Sequence, residues 1–266
     1  MRGGEAFPLP QGLSPCWSGT LTQSLGRYVM KVRMGFAAVL LLGPLTAGAV
    51  SQKLRYKFES VSDPVTTVVD DSGKGHTGTV QASNGGTVTV EAAGYEGQGV
   101  RFPAVCVGTT CAKAFISAAD SVSLNPGTAL FSFGARVRVT LAELSTDHGS
   151  NLVQKGLSST PQWKLQLDDA VTGKPSCVVR TTGGADAVIV KSSVGIADGV
   201  WHKVTCQRTS TTLTILIDNV ARGSALLAST YDINPTGQSV GIGAKSAGNN
   251  NDQFHGAMDE VYFNLD

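Results

Sequence analysis

Apolar and polar residues alternate along Lys203-Val204-Thr205-Cys206-Gln207-Arg208 and again along Thr212-Leu213-Thr214-Ile215-Leu216-Ile217. Only the small polar residues 209–211 separate the two runs. A period of two puts successive side chains on opposite faces of a strand, so the pair predicts two antiparallel strands joined by a tight hairpin. The same pattern predicts strands at 54–59, 131–139, 151–155, 163–167, 188–192, 239–242 and 256–263. Phe131, Phe133, Ala135, Val137 and Val139 fall on one face, which should be core, and Trp201 is expected in the core as well. Turn-forming clusters separate the runs at short spacing, and no segment keeps a helical period. The reading is an all-β, antiparallel two-sheet sandwich. Thirty-two glycines and only 15% charged residues suit strands and turns better than long helices.

The first fifty residues read differently. Met30-Lys31-Val32-Arg33-Met34 is basic, residues 35–45 are nearly all apolar, and Ala47-Gly48-Ala49 offers the small-x-small pattern of a signal peptidase site. Residues 30–49 are therefore expected to be a signal peptide, residues 1–29 a non-structured leader or a start set too early, and 50–266 the exported domain. The apolar run is far below the ~20 residues that span a bilayer and contains Gly43-Pro44, so no membrane span is expected after cleavage. Loss of residues 1–49 removes Arg2, Arg27, Lys31, Arg33 and Glu5, leaving 17 basic against 19 acidic residues. A mildly acidic domain has no basic stripe for nucleic acid and no polybasic patch for an anionic membrane. The expected location is secreted, or extracellular.

Cysteine usage fits export. Cys16 lies in the leader and four remain, Cys106, Cys111, Cys177 and Cys206, an even number that reads as disulfides. Four cysteines allow three pairings, and the spacing alone does not choose among them. The pairing adopted is Cys106 with Cys111, which bracket a four-residue loop, and Cys177 with Cys206, each inside a strand-like run. The rival reading of the Cys106-x4-Cys111 spacing as half a zinc site lacks a second close pair or a suitably spaced histidine.

Three ordered motifs carry a family resemblance: the 199–208 strand with Trp201-His202, the run Leu213-Thr214-Ile215-Leu216-Ile217-Asp218-Asn219, and the terminal Gly256-Ala257-Met258-Asp259-Glu260-Val261. Upstream, Asp70-Asp71-Ser72-Gly73-Lys74-Gly75-His76-Thr77-Gly78-Thr79 and Gly97-Gln98-Gly99-Val100-Arg101-Phe102 look like the loop and strand that precede them in that family. Together they resemble the LamG-like jelly-roll domain of the concanavalin A-like lectin/glucanase superfamily, secreted bacterial type, over residues 54–266. The resemblance implies a jelly-roll topology. It also implies a structural calcium site, formed where the loop meets the last strand: Asp70 and carbonyls near Gly75 and His76 on one side, Asp259 on the other.

Candidate chemistry narrows by elimination. Gly73-x-Gly75-x-x-Gly78 formally satisfies a dinucleotide fingerprint, but no helix follows it to receive a pyrophosphate. Read as an oxygen-rich turn, the loop could ligate a hard cation such as calcium; otherwise Asp70 and Asp71 cap their own turn. Glycan cleavage needs two facing carboxylates. In catalytic relatives of the fold these sit as Glu-x-Asp-x-x-Glu, and no Glu here is followed two residues later by Asp. Asp259 and Glu260 are adjacent and point to opposite sides of a strand. There is no Gly-x-Ser-x-Gly elbow, and His76, His148, His202 and His255 are scattered. His202 is read as an ordinary packed or half-exposed histidine.

What remains is binding. The 246–255 loop supplies Asn249, Asn250, Asp252, Phe254 and His255 as candidate ligand-binding residues, with a solvated Asn-rich turn as the alternative. Tyr95, Trp163 and Tyr231 are candidate aromatic platforms or, equally, sandwich-edge filling. The expected function is a secreted, non-catalytic recognition module, not an enzyme since no facing carboxylate pair is legible, with extracellular carbohydrate as ligand. The alternatives are a protein-protein adhesion module of the cell surface and a glycoside hydrolase-like enzyme.

Overall fold

A computed structural model describes residues 50–144, 149–168, 170–182 and 187–266. The leader and signal peptide expected over 1–49, with Cys16, and also His148, lie outside the described residues. Sixteen strands are found among the rest. The first eight are β1 (Ser51–Tyr56), β2 (Thr67–Val68), β3 (Gly78–Ser83), β4 (Thr89–Glu91), β5 (Gly99–Arg101), β6 (Lys113–Ala118), β7 (Phe131–Arg138) and β8 (Ser150–Lys155). The second eight are β9 (Gln162–Leu167), β10 (Pro175–Arg180), β11 (Val188–Lys191), β12 (His202–Arg208), β13 (Thr212–Ile217), β14 (Val220–Leu226), β15 (Val240–Ile242) and β16 (Ala257–Leu265). They pair antiparallel throughout into two sheets. The front sheet runs β11-β10-β9-β8-β15-β6-β3-β2, and the back sheet β14-β13-β12-β7-β16-β5-β4, with β1 also on β16.

The hairpin of β12 and β13 forms as the alternation predicts, with Val204 opposite Ile217 and Cys206 opposite Ile215. Phe131, Phe133, Ala135, Val137 and Val139 all face the core. Phe133 and Phe263 pack from the back sheet onto Trp163 of the front sheet, at 4.8 and 4.9 Å between ring centroids. Trp163 is thus a central core residue and not a platform. β1 begins at Ser51 and stops at Tyr56, because Phe58 turns its backbone into the left-handed region (φ 62°) and breaks the alternation expected through Glu59.

Both disulfides join the expected partners. Cys177 of β10 meets Cys206 of β12 across the core, with Cα atoms 5.7 Å apart, so it staples one sheet to the other. Cys106 and Cys111, 5.6 Å apart, close the loop that enters β6.

Trp201 corrects an expectation. Cys206 and Val204 point inwards, so strand parity sends Trp201 outwards. There its indole N–H donates to the Ala93 carbonyl at 3.3 Å, and the Arg138 guanidinium lies 4.9 Å from its ring. His202 has the inward parity but sits at the sandwich rim, half-buried between the carboxylates of Asp218 (2.7 Å) and Asp198 (3.1 Å). Desolvation works to lower its pKa, yet those two carboxylates outweigh it and hold the pKa above the ordinary histidine value.

Candidate ligand-binding face

Strand register decides what the outer surface of the front sheet presents. Leu165, Leu167 and Trp163 fill the core, so the intervening Lys164 and Gln166 point out. Directly opposed residues of antiparallel strands share a face, and this collects Asn151, Gln166 and Ser176 into one row across β8, β9 and β10. Gln154, Lys164 and Val178 form the next. Polar side chains thus line the middle of a sheet whose reverse is mostly apolar, with Lys155 and Ser150 as its buried polar residues.

The 246–255 loop closes over this face. The Asn151 backbone N–H donates to the Asp252 carbonyl at 2.8 Å, and its side-chain amide donates to Gln154 Oε1 at 2.7 Å. Asp252 Oδ2 lies 3.1 Å from Lys245 Nζ and 3.8 Å from Lys164 Nζ. Burial pulls the Lys164 pKa down, with Asp252 opposing. Two hollows meet at Asp252. One of about 240 Å3 runs between Asn249, Asn250 and the Cys106–Cys111 loop; the other, about 200 Å3, lies over Gln154, Gln162 and Lys164. Asn151 Oδ1 and Ser176 Oγ are buried on the face without a hydrogen-bond partner.

The expected ligand residues therefore separate. Asn249, exposed, accepts from Lys113 Nζ at 2.7 Å, while Asn250 and Asp252 adopt left-handed backbone (φ 51° and 53°), a conformation Asn and Asp tolerate better than most residues. Those three reach the groove. Phe254 does not: its ring is buried edge-on against Phe102, 5.7 Å away, because the chain turns inwards towards β16. His255 lines the first hollow but is mostly buried, its Nδ1 bonded to the Pro103 carbonyl at 2.7 Å. Gln253 ties the loop to β6, accepting from the Ala114 N–H (3.1 Å) and donating to the Ala114 carbonyl (2.9 Å). Composition pointed to the loop, whereas Asn151, Gln154, Lys164 and Ser176 were missed, for they converge only through a register spanning three strands. Tyr231 is half-buried, and its hydroxyl accepts from the Thr181 N–H at 3.2 Å.

The residues expected to hold calcium lie in two hydrogen-bonded sets. Asp70 accepts from the backbone N–H groups of Arg55, Ser72 and His76 at 3.0, 3.0 and 2.9 Å. Desolvation alone would raise its pKa; these amides and Ser72 outweigh it and hold the carboxyl below the ordinary value. The His76 carbonyl accepts from the Tyr56 hydroxyl, and Gly75 turns with φ 80°. Asp259 lies on β16 under the 94–97 turn, accepting from Tyr95 and Glu96 N–H at 2.8 and 3.1 Å and from Glu260 N–H at 2.7 Å. Burial pushes its pKa up to about 6 against the pull of those amides. A bulge at this point gives Glu260 a φ of 50° and sends its carboxylate to Arg55. Among the described residues no three His, Cys, Asp or Glu side chains converge as a metal cluster.

A family model described as the concanavalin A-like lectin/glucanases superfamily, Laminin_G_3, matches residues 112–264, more than half of the chain. The chain belongs to this family. The Laminin_G_3 match runs from the start of β6 almost to the end of β16, so it takes in the strands of the polar face and the loop that closes it. No protein of curated function matches by sequence. Among solved structures, domain 4 of the extracellular arabinanase AbnA of Geobacillus stearothermophilus, in complex with arabinotriose, aligns at TM-score 0.58 and 16% identity, over 81% of this chain and 93% of that one. The binding domain of Paraclostridial Mosquitocidal Protein 1 aligns at TM-score 0.57 and 14% identity, over 80% and 48%. The binding domain of botulinum neurotoxin DC in complex with SialylT gives 0.57 and 13%, over 80% and 47%. The chain thus spans about half the length of the toxin domains it matches. These similarities show the jelly-roll fold shared by the Laminin_G_3 chain and its neighbours.

Proposed function

We propose that the protein is an exported, non-catalytic module that binds a neutral extracellular carbohydrate along the outer face of the front sheet. The observation that carries this reading is the pair of polar hollows that meet at Asp252, one lined by Asn249 and Asn250 and the other by Gln154, Gln162 and Lys164. Each hydrogen bond between a sugar hydroxyl and these groups contributes about 0.5–1.5 kcal/mol net. Asn, Gln and Asp groups at fixed spacing suit such hydroxyls, and the arabinotriose complex of the neighbouring arabinanase domain supports the ligand class. Two disulfides support an oxidising, extracellular location. Binding without turnover fits an Asp252 held between two lysines.

The test is an array of neutral oligosaccharides probed with the full oxidised chain. At least one should be retained and not cleaved, and Asp252→Ala and Gln154→Ala should each weaken it by roughly tenfold when compared well below each variant's own Tm, the size of one or two lost hydrogen bonds. Retention that ignores both substitutions would overturn the assignment.

Calcium at Asp70, Gly75, His76 and Asp259 is a separate proposal. An ionised Asp70 in a glycine-rich turn supports it; the amides already bonded to both carboxylates oppose it. Calcium should raise Tm reversibly with EDTA, by more above about pH 7 than below about pH 5, because a protonated Asp259 is no ligand. A Tm that ignores calcium, or a rise that survives Asp259→Ala, rejects the site.

A further inference from the structure

The back sheet has a groove of its own, on the opposite side of the molecule from the polar face. Ala135 and Val137 are core, so Arg136 points outwards, and register places Lys203 of β12 directly opposite it. Two like charges so opposed destabilise a sheet unless something neutralises them. Among the described residues neither forms an ion pair: the Arg136 guanidinium lies 3.7 Å over the Tyr95 ring, and Lys203 Nζ donates to Asn219 Oδ1 at 3.0 Å. Both line a hollow of about 270 Å3. Arg55, beside it, is neutralised by Glu260, leaving Glu96 as the remaining acid of the wall.

The wall has two further components. Tyr95 is 47% exposed, and Arg136 occupies only one side of its ring, so an aromatic surface remains for the C–H face of a sugar. Gln52 and Asn264, paired across β1 and β16, supply amides for hydroxyls. Two cations without a direct ion pair, set near Glu96, Asp218 and the cross-strand Asp259, fit a single carboxylate better than a dense polyanion, which these acids and the acidic domain would repel.

We propose that this groove is a second, independent binding site, for a carboxylated oligosaccharide of the uronic acid class. Arg136 and Lys203 receive the carboxylate of one residue, the open side of Tyr95 stacks on the ring of a neighbouring residue, and Gln52 and Asn264 bond hydroxyls.

Calorimetric titration of the full oxidised chain with trigalacturonic acid tests the site, with its methyl ester as the uncharged control. The acid should bind at least about tenfold more tightly than the ester, and Arg136→Ala and Lys203→Met should each weaken it by about tenfold or more, the range for hydrogen bonds to a charged group. Lys203→Met keeps most of the aliphatic stem of a side chain whose Nζ ends 6.0 Å from the Tyr262 ring, and guards against misreading a folding defect. Lys191→Met, which removes a cation 68% exposed on the front sheet, should change nothing. Equal binding of acid and ester, survival of binding in both back-sheet variants, equal weakening by Lys191→Met, or displacement by equimolar sulfate would each overturn the proposal.

Discussion

Trp163→Ala is expected to destabilise the domain by about 3–5 kcal/mol, the range for removing a large aromatic from a packed core. For a domain of this size that is a fall in Tm of roughly 10 °C, measured by thermal or denaturant unfolding. The indole is wholly buried between Phe133 and Phe263, and its N–H donates to the Leu124 carbonyl at 3.0 Å. Truncation would open a cavity between the sheets and strand a buried carbonyl. Trp163→Phe should recover most of the loss, since it restores ring volume and forfeits only the hydrogen bond. A change under about 1 kcal/mol on Trp163→Ala would mean that the two sheets do not pack through this residue.

Arg208→Met is expected to cost about 3 kcal/mol or more, by leaving buried acceptors of a charged group unpaired. Arg208 ends β12 with only 2% exposure, and its guanidinium donates to four carbonyls: Gly127 (3.0 Å), Tyr231 (2.7 Å), Ala228 and Ser229 (both 3.2 Å). It therefore clasps the 228–231 turn to the segment before β7. Met keeps most of the stem and loses all four bonds, so the variant isolates the clasp from the packing. Faster amide exchange confined to 228–233 would accompany the loss; unchanged stability and exchange would show that water replaces the guanidinium at no cost.

These residues also show what the sequence could convey. Alternation located the strands because one face of each is buried, and it fixed the inner row of β7 residue by residue. The same parity places Trp163 with Leu165 and Leu167 inside, which settles its open alternatives in favour of filling the sandwich, and Trp201 outside opposite Cys206, so the expectation for Trp201 failed where aromatic character was weighed above strand parity. Phe254 failed differently. Its loop is polar, and only the turn into β16 determines that the ring faces Phe102. The face formed by Asn151, Gln154, Gln166 and Ser176 was hidden in the sequence because a bulge between Asn151 and Val153 resets the pairing of β8 with β9. Local periodicity carries no information about such long-range register. The partners of Arg208 and His202 depend on loops returning from distant positions, which have no local signature.

The central claim is that a neutral carbohydrate lies along the outer face of the front sheet. Amide chemical-shift mapping tests it most directly, using the full oxidised chain and the oligosaccharide held most tightly on the array. The account predicts shifts concentrated at Asn151, Gln154, Lys164, Gln166, Ser176 and residues 249–252. Shifts gathered on another surface, or an array on which no neutral oligosaccharide is retained, would contradict it.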